Sequence, residues 1–324
     1  MKNMIKKITI PIPEKSLPYN FNFFLTHYVF QPWVVEDKEL VRLFKLKSGK
    51  MVLVRVGYTS ERNPALILTL VFEKRLEEFE IKWLREMISW VFSVDDDVKF
   101  FYTSICKKDP VLKAASREIY GAHLRTDPTV FESLLGVVVA QNVFFGRIYE
   151  MTKNLCQKFG ESKVIDKKTY YTFPSPERLA EADLSEIRNC KVGYRDKYIS
   201  GIAKKVVNEK IDLDKLRDSD DLDYIRKQLI SLPGVGPYTA ELTIAISFRK
   251  PVFHMDLFSR EALYTFYFNG KTVSDKKLQD FVEKRWGEWK HYVMLLLTTN
   301  TDTWAKELGI NFRLKSAAKS PNNI

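Results

Sequence analysis

Glycine and proline dominate a short segment, Leu232-Pro-Gly-Val-Gly236, that lies between two stretches of helical periodicity. Gly234 and Gly236 allow backbone conformations that other residues avoid, and they leave the chain open to the close approach of a ligand. A helix that begins near Pro237 has unpaired amide groups in its first turn, beside these glycines. Such a helix end binds phosphate oxygens, which suits a nucleic-acid backbone. A tight corner between two packed helices explains the same spacing equally well.

A carboxylate follows this segment after about twenty residues. Asp256 stands directly before another helical run, where its simplest role is to cap the first turn, worth about 1 kcal/mol. The order of the two elements, a glycine-rich hairpin and then an aspartate, is more informative than either element alone.

The sequence offers no obvious set of metal ligands. Its three cysteines, Cys106, Cys156 and Cys190, are far apart and odd in number. This excludes a disulfide framework and any four-cysteine zinc or iron–sulfur site built from this chain alone. The four histidines show no metal-ligand spacing either. We therefore expect no cofactor and no metal centre, and we expect a reducing compartment, the cytoplasm or the nucleoid.

The composition favours a globular protein with a polyanionic partner. The 324 residues include 52 lysines and arginines against 41 aspartates and glutamates, a formal net charge of +11, and 45% of the residues are apolar. Wholesale disorder is excluded. The longest apolar runs are far shorter than the roughly 20 residues of a membrane helix, and no apolar segment follows the basic start, so we expect neither a membrane segment nor a signal peptide. Nucleic acid is the first candidate partner.

The periodicity predicts an α+β protein: an N-terminal antiparallel β-sheet domain joined to an all-α body. Alternating apolar residues and the turn Ser48-Gly49-Lys50 predict a sheet within residues 1–75, and helical spacing begins at Phe79. From about residue 110 the pattern is almost entirely helical, including one long stretch from Phe131 to Ile148. We place the sheet domain, with its helix, at 1–108, the helical body at 109–312 and a flexible tail at 313–324.

The hairpin and Asp256 belong to an ordered set of motifs that resembles the helix-hairpin-helix (HhH-GPD) DNA glycosylase superfamily. The resemblance spans roughly residues 125–305 and agrees best with the branch of 3-methyladenine glycosylase II and the 8-oxoguanine glycosylases. The further motifs lie in order along the body: Asp127-Pro-Thr-Val-Phe-Glu-Ser-Leu-Leu135, Val139-Ala-Gln-Asn142, Leu155-Cys-Gln-Lys-Phe-Gly160, Phe173-Pro-Ser-Pro-Glu-Arg-Leu179, Cys190-Lys-Val-Gly-Tyr-Arg-Asp-Lys-Tyr198 and Trp286-Gly-Glu-Trp-Lys-His-Tyr292.

The resemblance implies a DNA repair enzyme that flips a damaged base out of duplex DNA and breaks its N-glycosidic bond. Asp256 would stabilise the positive charge that develops on the sugar and would orient water. The residues that would bind DNA are those of the hairpin, a gap-filling amide and an arginine beyond it: Leu232, Gly234, Val235, Gly236, Gln141, Asn142 and Arg147. Polar residues at the solvent end of a helix are the alternative for the two amides.

One position separates hydrolysis from lyase chemistry. Bifunctional members of the superfamily form a Schiff base with a lysine of the hairpin helix, and the matching residue here is Tyr238, which has no amine. We therefore expect a monofunctional enzyme, with Tyr238, Trp33 and Tyr102 as candidates for the base pocket. The carbonyls of Leu232 and Val235 would hold a monovalent cation if that feature of such folds carries over.

The substrate signals conflict. An aromatic pocket favours alkylated purines of the 3-methyladenine type, but Leu297-Thr298-Thr299 stands where that branch carries an aromatic platform. An 8-oxoguanine-type glycosylase, with or without lyase activity, is one alternative, and a non-catalytic protein that binds DNA structures through its hairpin is another. The expected partner is double-stranded DNA with a damaged base, bound by a monomer. The basic segment 188–210 would flank the DNA or would be an ordinary solvated helix face.

Overall fold

The computed structural model describes residues 3–60, 63–143 and 145–312, so the predicted tail at 313–324 lies outside the described residues. A five-stranded antiparallel sheet forms the N-terminal part, in the order β1-β5-β4-β3-β2. Its strands are β1 Met4–Pro11, β2 Val34–Glu36, β3 Glu39–Lys45, β4 Met51–Thr59 and β5 Ala65–Phe72. The predicted turn between β3 and β4 is confirmed, with Gly49 in the left-handed conformation at φ 78° that this turn requires.

Helices make up most of the rest of the described chain. They are α1 Phe21–Thr26, α2 Glu78–Val91, α3 Val98–Phe100, α4 Cys106–Lys108, α5 Pro110–Glu118, α6 Val130–Ala140, α7 Phe145–Phe159, α8 Pro176–Glu181, α9 Leu184–Ile187, α10 Asp196–Asn208, α11 Leu222–Ile230, α12 Pro237–Ser247, α13 Leu257–Tyr267, α14 Asp275–Trp286, α15 Lys290–Thr298 and α16 Thr301–Trp304. The predicted α+β class is confirmed. In the part of the chain that the structure describes, no helix is long and apolar enough to cross a membrane.

Two details of the body differ from the sequence prediction. The long helix predicted from Phe131 to Ile148 is two helices, because α6 ends at Ala140 and α7 begins at Phe145. Asn142, in the turn between them, has a φ of 50°, which an α-helix cannot contain. The body also holds a two-stranded antiparallel sheet, β6 Ser162–Ile165 and β7 Lys168–Tyr171, where only helices were expected.

The buried apolar side chains form two large clusters, one built from two separate parts of the chain and the other from a single continuous part. The first, called core 1 here, combines residues 10–122 with residues 253–312, so the sheet, α2 and the C-terminal helices share it. The buried residues of the second, core 2, all lie within residues 130–252, and the partly buried Phe30 packs against them. Val252 belongs to core 2 and Phe253 to core 1. The domain boundaries at 108 and 312 stay a prediction.

A buried ion pair joins the sheet to core 2. Arg42 on β3 donates two hydrogen bonds of 2.6 Å to the carboxylate of Glu132 on α6, and both side chains are almost fully buried. The Arg42 guanidinium also lies 4.7 Å from the ring centroid of Phe44. Buried charges are stable only when they are paired and hydrogen-bonded in this way, so the pair fixes the position of α6 relative to the sheet.

Glu80 on α2 is a second buried carboxylate, and it predicts how stability depends on acid. Hydrogen bonds from Lys50 Nζ at 2.8 Å, from Ser48 and from the Glu77 amide outweigh the effect of burial and lower the pKa of Glu80 from 4.5 to about 2. Because the folded-state pKa is depressed, this stabilisation is fully present above about pH 4.5 and is lost as the pH falls toward 2.

We expect Glu80→Gln to lower the free energy of unfolding at pH 7 by roughly 2 kcal/mol, since charge-assisted hydrogen bonds are lost. The difference between the two proteins is expected to shrink as the pH falls from 4.5 to 2. Denaturant unfolding at a series of pH values measures it. Glu86→Gln, on the exposed face of the same helix, is the matched control and should change little. A difference that stays constant down to pH 2 would contradict the prediction.

Candidate active site and DNA-binding hairpin

The glycine-rich segment forms a tight hairpin between α11 and α12. Leu232 and Val235 are buried in core 2, and the Val235 amide donates to the Leu232 carbonyl at 3.2 Å. Gly234 adopts a left-handed φ of 73°, and a Cβ at this position would lie 2.2 Å from Cγ of Tyr198 on α10. Only glycine therefore fits beneath the Tyr198 ring.

Gly236 differs from Gly234 because its surroundings are open. It is the N-cap of α12, with φ −92° and ψ 179°, and no heavy atom lies within 4 Å of a Cβ built on it. No side chain caps this helix end, and Pro237 occupies the first turn. The first-turn amides of α12 are thus left without intrahelical partners beside open space, which is the geometry of an anion site.

Asp256 caps α13 on the chain segment that follows α12. Its Oδ1 accepts the Ser259 amide at 2.7 Å, and its own amide donates to Ser259 Oγ at 2.8 Å, which completes a reciprocal capping box. The N-cap role expected from the sequence is therefore present. Because both bonds hold the residue to the helix end, the carboxylate has a fixed position.

Tyr238 and His254 lie in the electrostatic field of Asp256. The ring of Tyr238 meets the ring of His254 edge-on at 5.7 Å between centroids, and Tyr238 keeps 40% of its surface exposed. Burial and, to a lesser extent, the Asp256 charge raise the pKa of Tyr238 to about 12. Burial lowers the pKa of His254 to about 4, although the Asp256 charge opposes this shift. Both rings are therefore neutral at pH 7.

The two amides predicted to fill the gap in DNA have different surroundings. Gln141 Nε2 donates to the Gly234 carbonyl at 3.1 Å and to Thr239 Oγ1 at 3.0 Å, so its side chain is bound to the hairpin. Asn142 is exposed and has a left-handed φ of 50°. Arg147 is exposed on α7 and pairs with Glu150. The structure thus brings Gln141 and the hairpin together and leaves Asn142 at the surface.

This arrangement can be compared with known proteins. Residues 135–288 match the family described as "HhH-GPD superfamily base excision DNA repair protein". This part of the chain is an HhH-GPD domain. A DNA-3-methyladenine glycosylase of Bacillus subtilis is 29% identical over 268 residues, which are 81% of this chain and 82% of that protein. A probable N-glycosylase/DNA lyase of Methanothermobacter thermautotrophicus is 28% identical over 72% of this chain and 78% of its own length.

A solved structure shares the fold of most of the chain. The 3-methyladenine DNA glycosylase from Archaeoglobus fulgidus has a TM-score of 0.74 and 24% identity, over 90% of this chain and 97% of its own. The HhH-GPD family and the curated relatives together make this chain a DNA N-glycosylase of base excision repair. The prediction of the family and of glycosylase activity is confirmed.

Two predicted pocket residues lie away from the surface of the HhH-GPD protein. Trp33 is 2% exposed and packs against Phe44 and Phe92, and Tyr102 is 1% exposed, with its hydroxyl donating to the Ala122 carbonyl at 2.7 Å. Both side chains belong to core 1. Neither offers exposed surface to a flipped base in this structure, so Tyr238 is the one of the three that faces the site.

Two residues of the predicted basic segment 188–210 contact the HhH-GPD hairpin or its neighbour Gln141. Arg195 lies within the basic segment but is 5% exposed, and its guanidinium donates to the Gln141 carbonyl and to the Val192 carbonyl. In the same segment, Lys205 Nζ donates to the Ser231 carbonyl at 2.8 Å at the start of the hairpin. The basic segment therefore flanks the hairpin. The sequence alone does not show which of its basic side chains is buried.

A cavity of about 270 Å³ lies between α1, α7 and the end of α15. It is lined by aromatic side chains, among them Tyr28 and Tyr149, and by polar ones, among them His27, Thr299 and Asn300. Of these, the sequence had drawn attention only to the Thr298-Thr299 step. The others are far apart in the chain, so only the fold brings them together.

Three further groups of the glycosylase bear on its chemistry: the lysine nearest to Asp256, possible metal ligands and the Leu232 carbonyl. Lys250, the lysine nearest to Asp256 in sequence on its N-terminal side, pairs with Asp220. Within residues 3–60, 63–143 and 145–312, no group of histidine, cysteine, aspartate and glutamate side chains could hold a metal ion. A carbonyl oxygen has two lone pairs, so the bond from Val235 still leaves the Leu232 carbonyl able to bind a monovalent cation, and that site stays a prediction.

Proposed function

We propose that this glycosylase is monofunctional and hydrolyses the N-glycosidic bond of alkylated purines of the 3-methyladenine type, acting as a monomer on duplex DNA. One observation carries the proposal. The side chain that the hairpin helix places in the field of Asp256 is a phenol, Tyr238, and not an amine. A phenol cannot form an imine with the sugar, so we assign water as the attacking group.

The reaction needs little beyond one carboxylate. An alkylated purine is cationic, so when the bond between C1′ and the ring nitrogen breaks, the electron pair leaves with the base, which departs as a neutral molecule. The sugar gains oxocarbenium character, which the Asp256 carboxylate stabilises. Because Oδ1 accepts the Ser259 amide, Oδ2 is the oxygen that faces the sugar. Water then attacks C1′ and gives its proton to the carboxylate, which leaves an abasic site.

Aromatic side chains support a cationic base as the substrate. Tyr238 is partly exposed, and Tyr28 and Tyr149 line the cavity, so electron-rich rings are available for cation–π contact. A glycosylase of the 8-oxoguanine type is the second candidate. It is favoured by the exposed Asn300 at the same cavity, since an amide group binds the edge of a neutral, oxidised purine.

Excision from a panel of duplexes tests the proposal. Each duplex would hold 3-methyladenine, 7-methylguanine, hypoxanthine, 8-oxoguanine or uracil, opposite each normal base. We expect release of the alkylated purines at least tenfold faster than release of 8-oxoguanine. Preferential release of 8-oxoguanine would establish the second candidate instead.

Borohydride reduction during turnover separates hydrolysis from lyase chemistry. A monofunctional enzyme leaves no covalent adduct with DNA, whereas an imine would be trapped as a stable amine. A Tyr238→Lys variant is the positive control, since it places an amine at the position concerned. Trapping of the unchanged protein would overturn the monofunctional assignment.

A further inference from the structure

Three parts of the DNA-binding surface meet at one residue, Gln141. It ends α6, it lies beside the hairpin of residues 232–236, and it contacts Arg195 of the basic segment. Its side-chain amide donates both hydrogen bonds to the hairpin region, to the Gly234 carbonyl at 3.1 Å and to Thr239 Oγ1 at 3.0 Å. Its backbone carbonyl accepts from the Arg195 guanidinium, and its backbone amide donates to the Val138 carbonyl at 3.3 Å.

These bonds use the polar groups that a gap-filling side chain would need. A primary amide has two N–H donors, and both are directed at the hairpin. Moving the side chain into DNA would leave the Gly234 carbonyl without this donor and would leave the half-buried Gln141 to find new partners. The next residue, Asn142, has no such constraint, because it is exposed.

We propose that Gln141 is a positioning residue that couples the hairpin to the gap-filling turn. Asn142 follows Gln141 directly, at the fixed spacing of one peptide unit, about 3.8 Å between Cα atoms. The left-handed conformation of Asn142, which asparagine tolerates better than most residues, directs the chain away from α6. A phosphate bound at the hairpin therefore fixes where Asn142 stands relative to the DNA.

The chemical consequence is a division of labour between the two amides. Asn142 enters the duplex and meets the base left unpaired, while Gln141 stays on the protein and transmits the position of the hairpin. This inference rests on the proposed function, since it presupposes that a nucleotide is flipped out. It concerns binding and flipping alone, so it can be tested without base release.

A double-mutant cycle tests the coupling on an uncleavable duplex that carries a fluorescent base beside the lesion. Gln141→Met keeps the length of the side chain and removes its donors, and Thr239→Val keeps the shape of Thr239 and removes its hydroxyl. We expect each single change to reduce the population of the flipped state about fivefold, and the double variant to be little worse than either one. Gln157→Met, an exposed glutamine on α7, is the matched control and should have no effect.

Three results would overturn the inference. If Gln141→Met impairs flipping and Thr239→Val does not, Gln141 contacts the DNA itself. If Asn142→Ala leaves flipping unchanged, the turn does not fill the gap. Thermal unfolding of each variant shows whether the fold is intact, and additive effects of the two changes would equally contradict the coupling. Failure of the proposed function is distinguishable, because it would appear as missing base release by the unchanged protein while flipping persists.

Discussion

Asp256→Asn is expected to lower the single-turnover rate of base release by a factor of about 10²–10⁴, while binding to duplexes that carry the damaged base stays within about threefold. Asparagine has nearly the same shape and caps a helix as well as aspartate, so α13 should form normally. It lacks the negative charge that stabilises the sugar, and it cannot accept a proton from water. Rapid-quench measurement of base release, with fluorescence anisotropy for binding, separates the two effects.

A matched change elsewhere shows whether the loss is specific. Asp221 caps α11 by accepting the amides of Asp223 and Tyr224, and it is exposed. Asp221→Asn therefore makes the same chemical change at another helix N-terminus, and we expect release within about twofold of the unchanged protein. If Asp256→Asn retains release, the assignment of Asp256 as the catalytic carboxylate is wrong.

Alanine is expected to have different effects at the two hairpin glycines: at Gly234 it should lower stability, and at Gly236 it should lower affinity for DNA. Gly234→Ala should lower the free energy of unfolding by roughly 2–4 kcal/mol, because the new Cβ would lie 2.2 Å from Tyr198 Cγ at a φ of 73°. The clash involves Cγ of Tyr198, the ring atom nearest to the backbone, and rotation of the side chain moves this atom only a short distance. Denaturant unfolding measures the loss.

Gly236→Ala should cost no more than about 1 kcal/mol of stability, because its φ of −92° suits alanine and no heavy atom is within 4 Å, although alanine is a poorer N-cap than glycine. The methyl group instead occupies the open space above the first turn of α12. We expect affinity for an abasic duplex to fall about tenfold, from lost hydrogen bonds between backbone amides and a phosphate. Unchanged affinity would show that no phosphate binds at this helix end.

The parts of the site that the sequence predicts are those that depend on neighbouring residues in the chain. A helix N-terminus after Gly236 and a cap at Asp256 follow from local rules, and the structure has both. The break between α6 and α7 is different, because Leu134, Val138 and Phe145 keep one helical phase on either side of it. Apolar periodicity gives no sign of a turn at Gln141 and Asn142, which tertiary bonds to the hairpin and to Arg195 hold in place.

Burial of aromatic residues is a tertiary property, and here composition is a poor guide. Trp33 and Tyr102 have the chemistry of a base pocket, but they fill core 1, where Tyr102 finds a backbone acceptor. The residues that do line a cavity, such as Tyr28 and Tyr149, are separated by more than a hundred positions. The hairpin helix can be predicted from a short segment of sequence, whereas the lining of a pocket can be identified only once the fold is known.

The composition of the two cores has a consequence for biosynthesis. The buried residues of core 2 all lie within residues 130–252, so this core can be completed while later parts of the chain are still being translated. Core 1 also contains residues 253–312, so the N-terminal part of the chain, although made first, cannot complete this core until the C-terminal helices have been made. A nascent chain halted near residue 250 would leave core 1 incomplete and open to chaperones, although the hairpin of residues 232–236 would already be present. Asp256 is translated just after this boundary, so the hairpin is complete before the proposed catalytic carboxylate is added to the chain.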